Sequence, residues 1–187
     1  MSDQDAARAA LREKQGAGAR YDADAAPHED LLLARRGTAF FARKLNELGD
    51  DDLWGASAQD GWTRRHLIAH VAYHARALAY VVEGVRTGAP VPMYPSAAAR
   101  DGEIALGATL PARALRHLFD HAVKHLDVEW RELPDAGWGA SVTLMGGGAV
   151  PVSDLPRLRA VEVWQGALDL DNGARIVDLP MMLRPHK

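Results

Sequence analysis

The chain has 187 residues, a formal net charge of −3, 48% hydrophobic residues and no cysteine. That length suits one domain with a short extension, and the hydrophobic share is enough for a full core. The charge offers no basic field for nucleic acid or an anionic membrane, and the missing cysteines exclude disulfides, Cys-ligated zinc and a cysteine nucleophile.

Any thiol chemistry must therefore use a thiol that arrives as a separate molecule. No apolar run approaches the ~20 residues that span a bilayer. The opening MSDQDAARAALREKQ lacks the apolar centre of a signal peptide, so a cytoplasmic location is expected. The expected partner is a small-molecule substrate, with no nucleic acid and no membrane; a homodimer is one assembly a helical protein of this kind can form.

Residues 2–15 are Ala-rich and read as a helix, and the Gly/Ala-rich stretch from Gly16 to Pro27 reads as a linker. Residues 1–27 are thus expected to be an N-terminal helical arm and linker, with one bundle over 28–187. A helix is expected from about His28 to Leu48, with Leu31, Leu32, Phe40, Phe41, Leu45 and Leu48 on its apolar stripe. Gly37 inside it costs about 1 kcal/mol relative to Ala and suggests a close approach by a neighbour. Asp50, Asp51 and Asp52 read as a solvated turn, since adjacent carboxylates do not converge on a metal.

The next helix begins near Thr63, a suitable N-cap, and ends before Gly84 or Gly88. It carries His66, His70 and His74 at four-residue spacing, which stacks the imidazoles on one face beside Leu67, Val71 and Leu78. A ring held near a core is a satisfied structural histidine, a metal ligand or a proton-transfer group. The following TGAPVPMYPSAAARDGEIALGATL has three prolines and little periodicity. It reads as an ordered, non-helical crossover, a kind of segment that is often functional; Tyr94 and Arg100 lie in it.

A further helix runs from about Pro111 to Arg131, with Leu115, Leu118, Phe119, Ala122 and Leu126 inward. Its row of His117, His121 and His125 reads as a partly exposed edge. Ser141–Val152 reads as a hairpin around Gly146, Gly147 and Gly148. The last helix runs from Ser153 to about Leu170, with Leu155, Leu158 and Leu168 inward and Glu162 on their side. Four long helices joined through one long crossover make an all-α four-helix bundle, whose sites usually lie between facing helices. His70 and Glu162 are then the two polar groups tending inward. A carboxylate among apolar neighbours needs a partner, and either a His–Glu hydrogen bond or a zinc ion shared by both would serve.

The segments GWTRRHLIAHVAYHA, PMYPSAAARDGEIALGATL, LDVEWRE and LRAVEVWQGALDL, in this order, resemble the N-terminal domain of mycothiol-dependent maleylpyruvate isomerase, a DinB-like metal-binding bundle. The resemblance spans roughly residues 28–172. It implies a divalent metal, usually zinc, on one histidine of the GWT helix and a Glu-x-x-x-His pair of the last helix. Those positions are His70 and Glu162, with Gly166 where the second histidine is expected. His74, Gln165 and Asp169 are candidate replacements for the missing ligand, His74 foremost; Asp169 also suits a supporting hydrogen bond. Arg100 matches the family's catalytic arginine, suited to a substrate carboxylate.

The resemblance also implies mycothiol or another low-molecular-weight thiol. In such chemistry the thiolate adds to a cis double bond, the new single bond rotates, and elimination gives the trans isomer. The family's C-terminal domain, which completes its active site, is expected to be missing from a chain ending at Lys187. Three readings stay open. One is a thiol-dependent isomerase or transferase with a divergent metal site. Another is a metal-free member using His70 and Glu162 as an acid/base pair. The third is a non-catalytic small-molecule binder or dimerising helical protein.

Overall fold

A computed structural model describes residues 21–185, together with Ala6 and Ala10. Apart from Ala6 and Ala10, the expected N-terminal arm and residues 16–20 of its linker lie outside the described residues. Four long helices form the bundle: α1 (His28–Asn46), α2 (Arg64–Thr87), α4 (Ala112–Glu132) and α6 (Leu155–Asp169). Two shorter ones, α3 (Ala97–Gly107) and α5 (Asp135–Trp138), sit in the connections. Strands β1 (Ser141–Thr143) and β2 (Ala149–Pro151) pair antiparallel, with Val142 opposite Val150. Gly146 and Gly147 turn the hairpin at φ 116° and 87°, a region that only glycine enters without strain. This is the expected DinB-like all-α bundle. Among the described residues no helix is long and apolar enough to cross a membrane.

Helix α2 is the central element. Its N-terminus is closed by a reciprocal cap, in which the Thr63 side chain accepts the His66 backbone N–H while the Thr63 N–H donates to His66 Nδ1 at 3.4 Å. Such a cap satisfies donors that the first turn leaves without intrahelical partners. The helix ends at Gly88 in the left-handed conformation, φ 73°. Between these ends Leu67, Ile68, Val71, Leu78 and Val82 are buried against α4 and the α1–α6 pair. In α1, Gly37 allows the close approach expected of it: a Cβ there would fall 2.5 Å from Val163 Cγ2 on α6. Phe41 and Phe119 pack as a tilted ring pair with centroids 5.1 Å apart, joining α1 to α4.

Two expectations are corrected. The crossover after α2 is helical in its second half. Ser96 Oγ accepts the Ala99 N–H at 3.0 Å and starts α3, which buries Ile104 and brings Gly107 against Tyr73 and Ala69 of α2. Only two positions of α3 are buried, so it carries too little apolar periodicity to announce itself. In α6, Leu158 is 40% exposed and Leu168 is half-buried. The inward face is instead Leu155, Arg159, Ala160, Val163, Trp164 and Ala167, because a buried arginine occupies the position that a leucine-only stripe skips. Residues 21–27 of the linker are tied to the bundle. Asp22 and Asp127 both bond Arg35, at 2.6 and 2.8 Å, and Ala23 and Ala26 are buried.

Candidate functional site

The α2–α6 seam brings together the two polar groups singled out in the sequence. His70 Nε2 lies 2.5 Å from Glu162 Oε1, and Arg100 Nη2, on α3, lies 3.3 Å from His70 Nδ1. A guanidinium can only donate, so Nδ1 accepts from Arg100 and Nε2 carries the proton directed at Glu162. Helix α3 is what delivers Arg100 to this point, with its other arm held by Asp101 at 2.9 Å. Trp62 packs edge-on against the His70 ring at a centroid separation of 5.4 Å. His70 is buried, whereas the Glu162 and Arg100 side chains are 27% and 24% exposed. The chain of contacts therefore opens to solvent at its carboxylate and guanidinium ends.

The three histidines of α2 separate by environment. His66 belongs to the helix cap. His74 faces Arg159, whose Nη1 reaches both His74 Nδ1 at 3.2 Å and the Val71 carbonyl at 2.8 Å. Burial pushes the His74 pKa down to about 3, with Arg159 adding to the effect and Glu162 opposing it, so His74 is neutral at physiological pH. Arg159 is 1% exposed, and burial draws its pKa down to about 10, which leaves it charged. Its Nη2 has no hydrogen-bond partner among the described residues.

Desolvation alone would raise the Glu162 pKa. The hydrogen bond from His70 and the nearby His74 and Arg159 outweigh it and bring the pKa down to about 2. Tyr94, buried in the crossover, is pushed up to about 12 by desolvation and stays a neutral phenol. It also lines a cavity of about 500 Å³ that runs past Tyr73, Arg76 and Glu103.

The donors do not match the metal centre the resemblance implies. Gly166 is buried, and a Cβ there would lie 2.9 Å from Val71 Cγ2 and 3.4 Å from Phe41 Cε2. An imidazole has no room at that position, and no ligand cavity opens there. His74 does not replace it: Arg159 engages its Nδ1, and the ligand atoms of His70, His74 and Glu162 do not all come within 4.8 Å of one another. Gln165 and Asp169 bond each other at 2.8 Å, and Asp169 also accepts from Gln59 at 2.9 Å, so both serve the end of α6. His70 and Glu162 remain as two donors flanked by two arginines, a set that opposes a dication electrostatically. Among the described residues, the one group of three side chains whose donor atoms converge as metal ligands is Glu83, His125 and Glu129, elsewhere on the bundle.

Sequence reading missed Arg159. An arginine three residues before Glu162, within a run otherwise filled with apolar residues, was the available signal, since residues i and i+3 share a helix face.

The family model of the mycothiol maleylpyruvate isomerase N-terminal domain matches residues 34–171. A crystal structure of the mycothiol-dependent maleylpyruvate isomerase is 43% identical, with a TM-score of 0.82, over 84% of this chain and 65% of that one. A histidine-to-alanine mutant of that isomerase gives 42% identity with the same TM-score and coverage. This chain thus spans 65% of the length of the solved proteins it matches. No curated protein matches it. With most of its length inside the family model and the same bundle as these structures, the chain belongs to the mycothiol maleylpyruvate isomerase N-terminal domain family.

Proposed function

We propose that the chain supports thiol-dependent cis–trans isomerisation, or a related thiol transfer, on a small unsaturated carboxylic acid at the His70–Glu162 pair. The observation that carries this reading is the continuous contact Arg100–His70–Glu162. Glu162 fixes the Nε2–H tautomer of His70, which leaves the Nδ1 lone pair as the base. In the free protein Arg100 caps that lone pair. A substrate carboxylate competes for the same guanidinium, because a charge-assisted fork is the stronger bond. Binding therefore uncovers the base as it orients the acid.

The thiol proton then passes to His70 Nδ1, and the imidazolium that forms is stabilised by Glu162. The thiolate adds to the β-carbon, and the π electrons move onto the conjugated carbonyl as an enolate. Rotation about the new single bond is followed by collapse of the enolate and expulsion of the thiolate. His70 returns the proton to the departing thiol, so atoms and charge balance over the cycle. The buried charge of Arg159, felt at Glu162, would act on a neighbouring enolate as a preorganised cation does on developing negative charge. Mycothiol, or another low-molecular-weight thiol, is the co-reactant this scheme requires, and the cytoplasm is where it would be met.

The test is conversion of a maleylpyruvate-type cis-enoyl diacid by chelator-treated protein with mycothiol, followed by NMR. The reading expects turnover that needs the thiol, survives chelation, and falls about 10²–10⁴-fold in His70→Ala. Turnover that ignores the thiol would instead favour acid/base chemistry by His70 and Glu162 on another molecule. Binding of the acid without turnover would favour a non-catalytic binder. Activity that chelation abolishes and zinc restores would return the reaction to a metal on His70 and Glu162.

A further inference from the structure

About 20 Å further along α2 from His70, at 1.5 Å per residue, a second set of donors comes together. Glu83 on α2 and His125 and Glu129 on α4 each offer one ligand atom, and these atoms lie within 4.8 Å of one another. His125 and Glu129 are four residues apart and so occupy one face of α4, turned toward α2. Tyr80 packs edge-on against the His125 ring at 5.5 Å and fixes its plane. Glu129 is buried, while Glu83 and His125 are half-buried, so an ion can reach the cluster from one side.

The cation there now is Arg86. Its Nε bonds Glu129 Oε2 at 2.9 Å and its Nη2 bonds Oε1 at 3.2 Å. Glu129, with Glu83 and Glu132 nearby, raises the Arg86 pKa. His125 Nε2 stands 3.8 Å from Glu129 Oε1, beyond hydrogen-bond distance. Arg86 lies in the last turn of α2 with its side chain 32% exposed.

We propose that Glu83, His125 and Glu129 form a divalent-cation site of zinc type that ties α2 to α4, entered by displacing Arg86 from Glu129. One imidazole nitrogen and two carboxylate oxygens are a donor set that zinc accepts, with water in the fourth position. Ligand atoms around tetrahedral zinc are ~3.4 Å apart, given bonds of ~2.0–2.2 Å. The present spacing closes to that with small side-chain rotations. A bound ion would brace the helix pair that carries His70, and by mass action it would raise the thermal stability of the protein. The site is independent of the chemistry proposed for His70 and Glu162.

The test titrates zinc into the chelator-stripped full chain, following heat of binding and Tm. The His70→Ala/Glu162→Gln/His117→Asn variant serves as background, removing the α2–α6 pair and the exposed His117–His121 pair, whose rings lie 6.0 Å apart and can chelate adventitiously. One equivalent should bind that background and raise its Tm. Adding His125→Phe, which keeps the packing on Tyr80, should weaken binding at least tenfold. Adding Arg86→Gln should tighten it by about tenfold, because the resident cation no longer competes. If His125→Phe does not fold, Glu83→Gln carries the same expectation. Absence of binding to the background variant, or binding unchanged by His125→Phe and Glu83→Gln, would overturn the proposal. So would weaker binding in Arg86→Gln.

Discussion

Helix α2 presents a histidine–glutamate pairing at each of two levels, and the two are built to opposite ends. Near its start, His70 meets Glu162 of α6 at 2.5 Å, with Arg100 on the other ring nitrogen and Arg159 buried beside His74. Near its end, Glu83 meets His125 and Glu129 of α4, with Arg86 as the paired guanidinium, 32% exposed. At the first level the imidazole has both nitrogens engaged, and a second cation, Arg159, is locked in by packing beside His74. At the second the imidazole is free of hydrogen bonds to its carboxylate neighbour and the cation is displaceable. The same residue types therefore suit proton transfer in one place and metal capture in the other. The cations around them, rather than the ligands themselves, decide which.

The largest effect that can break this contrast is on turnover. His70→Ala should lower thiol-dependent isomerisation by about 10²–10⁴-fold with little change in zinc uptake, measured in parallel on one preparation. Equal loss of both would merge the two sites into one. Next comes Gly166→His, which would restore the family's missing ligand if the site had kept space for it. Val71 and Phe41 fill that space, so the variant should lose about 1–3 kcal/mol or more in urea unfolding and gain no metal equivalent.

A smaller effect is expected in acid. The Glu162 pKa is depressed from 4.5 to about 2 in the folded chain, so its contribution is full above the unfolded value and is lost as pH falls from about 4.5 toward about 2. Asp22, lowered by Arg35 against its own desolvation, works in the same direction. Glu162→Gln should flatten the fall in Tm over that window; an unchanged slope would mean that the carboxylate is not stabilised by His70. The smallest effect is that of Arg100→Met, expected to raise KM for the acid by about tenfold while kcat changes less, as loss of a binding contact does.

The bundle was legible because its determinants are local and periodic: the Thr63 cap, the leucine and valine stripes of α2 and α4, and Gly88 after the last turn. The His70–Glu162 pair was legible for a related reason. An inward carboxylate on α6 had to find a partner, and an inward imidazole on α2 was the one available. Helix α3 was hidden because two buried positions make no pattern. Arg159 was hidden because sequence shows an arginine's charge but not the Val71 carbonyl and His74 ring that hold it inside. The fate of Gly166 was hidden as well. From sequence, a glycine in place of a ligand reads equally as an emptied pocket or as closed packing, and only the positions of Val71 and Phe41 tell them apart.

The most direct test of this division of labour is anomalous diffraction at the zinc edge from crystals of the full chain grown after chelation and soaked in zinc. The account predicts a peak between Glu83, His125 and Glu129, and none between His70 and Glu162. A peak at His70 and Glu162 with none at Glu83, His125 and Glu129 would contradict it.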